Sequence, residues 1–253
     1  MNRVLLASIA LGLTGTAAVA QHAGDILLTR VDGRLATGAI DEEGSVIGPE
    51  RVFVTAFDGN FIDEPGIYSD FGAFTPGTAI GFTVRAALRA WDGSDFDTIP
   101  AERISMRLGP LGPITTPLTD VPVVGFNTLV GATGEFHRHY GYTLNAPAGD
   151  GVYMLELELW ATDATIAPSL PYWILFGQNA DASDLAAAAA WVKTNLAGAC
   201  AADFDADGFL TFNDFDAFVS AFESGETKAD FDADGFLTFN DFDAFVEAFE
   251  RGC

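Results

Sequence analysis

Basic side chains are scarce: 12 Lys and Arg stand against 36 Asp and Glu in 253 residues, a formal net charge of −24. A surface of that sign repels phosphate backbones and anionic lipid, so no nucleic-acid partner is expected. Cysteine is nearly absent. Cys200 and Cys253 permit one bridge and exclude both a disulfide-rich scaffold and an all-cysteine zinc site. Beyond the N-terminus no run approaches the roughly 18 apolar residues of a membrane helix, so no membrane span is expected. The sequence also lacks G-x-S-x-G, H-E-x-x-H, a Walker loop and a dinucleotide glycine fingerprint, which leaves no enzyme class indicated. Hydrophobic residues, by contrast, make up 49%, with 22 Phe. That is enough for a folded core and too much for a disordered acidic chain.

Arg3, the apolar run Val4 to Leu13 and the small-x-small triplet Ala18-Val19-Ala20 read as a signal peptide over residues 1–20, cleaved near Ala20. Its apolar run is too short to span a bilayer. The expected location is therefore secreted or cell-surface, an oxidising setting.

The most informative feature is a repeat. Ala202 to Val219 reads ADFDADGFLTFNDFDAFV, and Ala229 to Val246 repeats it letter for letter at a period of 27 residues. In each copy the oxygen-bearing residues have calcium-loop spacing. Asp203, Asp205, Asp207, the Phe209 carbonyl, Thr211 and Asp214 take positions 1, 3, 5, 7, 9 and 12, with Gly208 at 6. The second copy places Asp230, Asp232, Asp234, Phe236, Thr238, Asp241 and Gly235 in the same way. Calcium seeks six to eight hard oxygens, and alternate positions of a curled loop supply them. After each loop Phe212, Phe215, Phe218, Val219 and Phe222, or Phe239, Phe242, Phe245, Val246 and Phe249, recur at helical spacing and predict a shared Phe core. From residue 199 onward 14 acidic residues face 2 basic ones, a charge that calls for divalent cations.

Too few residues separate Phe222 from Asp230 for a helix on both sides of each loop, which departs from a full EF-hand. The arrangement resembles the dockerin module, a duplicated loop-helix unit, and in particular the bacterial variant ending in Gly-Cys, here Gly252-Cys253. That resemblance covers about a fifth of the chain. It implies two bound calcium ions and attachment of a secreted protein, often a polysaccharide-degrading one, to a cohesin-like or other surface protein. Phe212-Asn213 and Phe239-Asn240 stand where cellulosomal dockerins commonly carry small hydroxyl residues. Cys200 and Cys253 bracket the module, and two pseudo-symmetric units would bring them close enough for a disulfide. The competing reading makes the terminal Gly-Cys a processing or attachment tag.

Residues 21–180 carry short β-rich runs between Gly, Pro and Asp turns: Asp25 to Val31, Arg51 to Phe57, Ile80 to Trp91, Arg103 to Leu108, Val121 to Leu129, Gly134 to Leu144, Gly151 to Ala161 and Pro171 to Gln178. The pattern predicts a mainly β fold, an antiparallel, jelly-roll-like sandwich, loosely similar to uncharacterised exported bacterial β domains. A helix and linker at 181–198, running from Ser183 to Leu196, lead into a small all-α module at 199–253. A hairpin between Gly134–Leu144 and Gly151–Ala161 would place His137 opposite Glu158 and His139 opposite Glu156, a cluster with ligand types for zinc or copper. The other reading of that face is a polar surface with cross-strand ion pairs. The sequence thus favours a non-catalytic sandwich on a calcium-loaded anchor. The alternative is a metalloenzyme or metal-binding protein using His137, His139 and a carboxylate, or a glycan-active protein.

Overall fold

The computed structural model describes residues 24–40, 46–197, 202–205, 210–232 and 234–251. The expected signal segment, Asp207, Gly208, Phe209, Cys200 and Cys253 lie outside the described residues. Among the described residues the fold is mainly β, in three sheets, with helices at the C-terminal end. One sheet orders the strands His137–Arg138, Ile67–Tyr68, Ile26–Val31, Arg34–Ile40 and Val46–Pro49. A second runs Leu111–Thr115, Ile104–Leu108, Gly141–Leu144 and Phe61–Ile62. The third runs Val123–Leu129, Ala79–Val84, Gly151–Ala161, Tyr172–Gln178 and Val52–Ala56, and the short Arg89–Ala90 strand also pairs with Gly151–Ala161.

All three sheets feed one core. Ile26, Leu28 and Leu35 from the first meet Ile104, Met106 and Tyr142 from the second and Phe82, Leu155, Leu157 and Phe176 from the third. Alternation along Gly151–Ala161 sends Tyr153, Leu155, Leu157 and Leu159 inward, while Val152 and Met154 face a helix on the outer surface. The neighbouring strand Tyr172–Gln178 is buried along its whole length. One face enters the main core, and on the other Trp173 and Leu175 lie under helix α1, Ala182–Val192, which contributes Ala188 and Val192. Burial on both faces explains its near-continuous apolar sequence. A π-helical segment, Lys193–Ala197, extends α1.

Three expectations change. The sandwich is not purely antiparallel: Ile26–Leu27 runs parallel to Ile67–Tyr68, and Trp173–Gly177 runs parallel to Val52–Ala56. Side-chain alternation does not encode the direction of the neighbouring strand. The run Gly134 to Leu144 is two short strands, and Gly141–Leu144 pairs with Ile104–Leu108 and Phe61–Ile62, not with Gly151–Ala161. The hairpin at Val31–Arg34 adds the strand Arg34–Ile40, turned by Asp32 (φ 46°) and Gly33 (φ 82°). Both residues at positive φ make the type I′ geometry that an Asp-Gly pair favours.

The C-terminal helices α2, Phe212–Glu223, and α3, Phe239–Arg251, pack through a Phe core. Phe218 and Phe245, equivalent in the repeat and both fully buried, stack with ring centroids 4.0 Å apart and planes 3° from parallel. Other contacts recur when the copies are exchanged: Phe204–Phe218 at 5.3 Å matches Phe231–Phe245 at 5.4 Å, and Phe218–Phe222 matches Phe245–Phe249, both at 5.8 Å. The repeat is thus a pseudo-two-fold pair in space. Phe212 and Phe239 depart from the expected Phe core, standing 72% and 79% exposed at the first turn of each helix.

Candidate metal centres

Among the described residues, each loop brings three carboxylates together. One oxygen from each of Asp203, Asp205 and Asp214 lies within 4.8 Å of the others, and the same holds for Asp230, Asp232 and Asp234. Two oxygens on opposite sides of one calcium ion are separated by about 4.8 Å at bond lengths near 2.4 Å. In the second loop the backbone draws the acids together: Gly235 N–H donates to Asp230 Oδ2 (3.0 Å), Asp234 N–H to Asp232 Oδ1 (3.1 Å) and Phe236 N–H to Asp234 Oδ1 (2.8 Å). Gly235 sits at φ 88° in open space, so it is the conformation and not crowding that calls for glycine at position 6.

The twelfth-position acids are fully buried. Asp214 accepts from Asp205 N–H (3.1 Å) and Thr211 N–H (2.8 Å), and Asp241 accepts from Asp232 N–H (3.1 Å) and Thr238 N–H (2.7 Å). The N–H of Thr238, reinforced by those of Asp232 and Phe231, holds the Asp241 carboxyl below the usual range. For Asp232 the Asp234 N–H favours the charged form, but burial and the charges of Asp234, Asp241 and Asp230 outweigh it and raise its pKa. Like charges crowded so closely favour a cation among them. Asp230 Oδ1 is buried and accepts no hydrogen bond among the described residues. An orphaned buried oxygen in an all-oxygen donor set fits a hard divalent ion.

Thr211 and Thr238 have a role that the loop pattern did not assign. Thr211 Oγ1 accepts from Asn213 N–H (3.1 Å) and, with Asp214, forms the capping box of α2. Thr238 Oγ1 accepts from Asn240 N–H in the same way (3.1 Å). The T-x-x-D spacing carries that signal.

The β domain corrects the expected histidine cluster. Glu156 and Glu158 lie on Gly151–Ala161 and face Arg85, with Arg85 Nη1 donating to Glu158 Oε2 at 2.7 Å. His137 and His139 do share a face, with Nε2 atoms 2.9 Å apart, but their carboxylates are Asp25 and Glu64. The partners changed because the anticipated hairpin does not form.

Between the first sheet and the C-terminal helices is a crevice of about 260 Å³, lined by Leu35, Pro49, Leu170, Leu210, Phe212 and Phe249. At its side Arg51 reaches Ala197 O and lies over the Trp173 ring; burial lowers its pKa, with the charges of Asp203 and Glu50 opposing. Among the described residues no helix is long and apolar enough to cross a membrane. No protein-family profile matches the chain, and no curated protein matches it. Among solved structures it is similar to the ASH / PapD-like domain of human CEP192 (PapD-like domain 7), at 10% identity over 70% of this chain and 97% of that one. With a TM-score of 0.25, the match transfers neither fold nor function.

Proposed function

We propose that this is an exported modular protein whose C-terminal, dockerin-like module binds two calcium ions and docks a non-catalytic β-sandwich to an extracellular or cell-surface protein. The observation that carries the reading is the pair of identical loops, each converging three carboxylate oxygens within 4.8 Å. Asp203, Asp205, Asp207 and Asp214 hold one ion, and Asp230, Asp232, Asp234 and Asp241 the other. Phe209 and Phe236 add carbonyl oxygens. With hydroxyls engaged as helix caps, Thr211 and Thr238 act at position 9 through water. The exposed side chains of Phe212, Phe236 and Phe239 support a docking role, since aromatic side chains anchor protein interfaces.

Calorimetric titration of the full chain tests the metal reading. Two calcium ions per chain are expected, one remaining in Asp203→Ala or Asp230→Ala, and essentially none in the double variant. A wild-type chain that binds no calcium, or a double variant that still binds two, overturns it. Pull-down from an extracellular or surface fraction of the native host tests docking, where capture must depend on calcium and fail with the double variant.

A further inference from the structure

The second cluster is built by sheet register. Ile26 pairs with Ile67 in parallel and Ile67 with Arg138 in antiparallel, so the next rung carries Asp25, Gly66 and His139 side by side. Gly66 leaves the middle of that rung without a side chain. A Cβ there would lie 2.6 Å from Asp25 Oδ1 and 2.7 Å from His139 Cε1, so the two outer side chains meet across the space the glycine leaves. His137, two residues along the same strand, points to the same face.

The tautomer of His139 follows from its neighbours. Its Nδ1 lies 3.2 Å from Asp63 O and 3.2 Å from Glu64 Oε1. A carbonyl can only accept, so Nδ1 carries the proton and the Nε2 lone pair faces inward. Glu64 is itself held, because Gly66 N–H donates to its Oε2 at 2.9 Å. Inward of this, His137 Nε2 is 2.9 Å from His139 Nε2 and 3.4 Å from Asp25 Oδ2, and His139 Nε2 is 4.0 Å from Asp25 Oδ1. Zinc bonds of about 2.05 Å put tetrahedral ligand atoms about 3.3 Å apart, and the three separations bracket that value. Asp25 is 2% exposed, whereas the His137 and His139 side chains are 25% and 33% exposed, which leaves an approach from solvent.

We propose that Asp25, His137 and His139 form a site for one divalent transition-metal ion such as zinc, with Glu64 positioning His139 and the solvent side open to a further ligand. The site is separate from the calcium loops and chemically distinct from them, since imidazole selects borderline metals and all-oxygen loops select calcium.

Zinc titration of the full chain in saturating calcium, read by calorimetry and by metal analysis after dialysis, tests this. One zinc per chain is expected, retained in the Asp203→Ala/Asp230→Ala variant and lost in His137→Ala/His139→Ala. Glu64→Gln should weaken it by about 10- to 100-fold, the usual effect of a partner behind a metal-bound histidine. Cobalt(II) gives a readout on the unaltered protein: absorption of a four- or five-coordinate nitrogen-containing site is expected. A hexaaqua-like cobalt spectrum, no zinc retained by the wild type, or zinc retained unchanged by the histidine double variant overturns the proposal. The first two outcomes would leave the histidines as a proton-sharing pair against Asp25.

Discussion

At the residue scale, Gly66 and Glu156 report on two different sheets of the β domain. Gly66→Ala forces a methyl against Asp25 and His139, so it should destabilise the fold as overpacking does, by about 1–3 kcal/mol, and abolish zinc retention. Thermal melting with metal analysis checks both. Burial raises the Glu156 pKa above its ordinary 4.5, with Arg85 opposing. A carboxyl shifted upward binds more protons in the folded than in the unfolded state, so its contribution to stability is greatest below the unfolded pKa and falls as pH rises through the folded one. Glu156→Gln should therefore stabilise at pH 7 by up to ~1 kcal/mol, with the gain vanishing below pH ~4, because Arg85 keeps Glu158. A chemical denaturation series at several pH values checks the sign. How legible such sites were depended on sequence distance. The clustering of the loop acids is legible because they lie within twelve consecutive positions. The partners of His139 are not, because Asp25 and Glu64 reach it through pairing that no local period specifies.

At the element scale, the capping box ties each acidic loop to its helix. Thr211→Ala removes an acceptor from the first turn of α2 and should cost about 1 kcal/mol of stability, with Thr211→Ser restoring it. Melting with and without calcium checks this: a cap alone shifts both curves, whereas a direct ligand shifts only the calcium-loaded one. The strands show where local pattern suffices. Gly151–Ala161 was legible to its ends because one face is apolar, and Tyr172–Gln178 because both faces are. Arg34–Ile40 was not read as a strand, although Asp32-Gly33 marks its turn, because RLATGAI lacks polar-apolar alternation. Leu111–Thr115 lies at a sheet edge, is largely exposed and contains Pro113, so little in its composition favours a strand.

At the scale of the whole molecule, helix α1 belongs to the β domain by packing, covering Trp173 and Met154. A chain ending at Ala197 should melt cooperatively on its own, and loss of a cooperative transition would tie the sandwich to the module. In the full chain Arg51→Ala removes the contact to Ala197 O and should loosen the junction there, seen as faster proteolysis between residues 197 and 203. The face-to-face stack of Phe218 on Phe245 bears on how copies of the chain behave together. Because the two loop-helix units share 18 identical residues, the surface that one unit offers the other is also the surface that it offers the same unit of another chain. Opening the short Ser224–Glu226 connection would let two molecules exchange halves and recover the same aromatic contacts, so the module carries an inherent route to swapped dimers at high concentration.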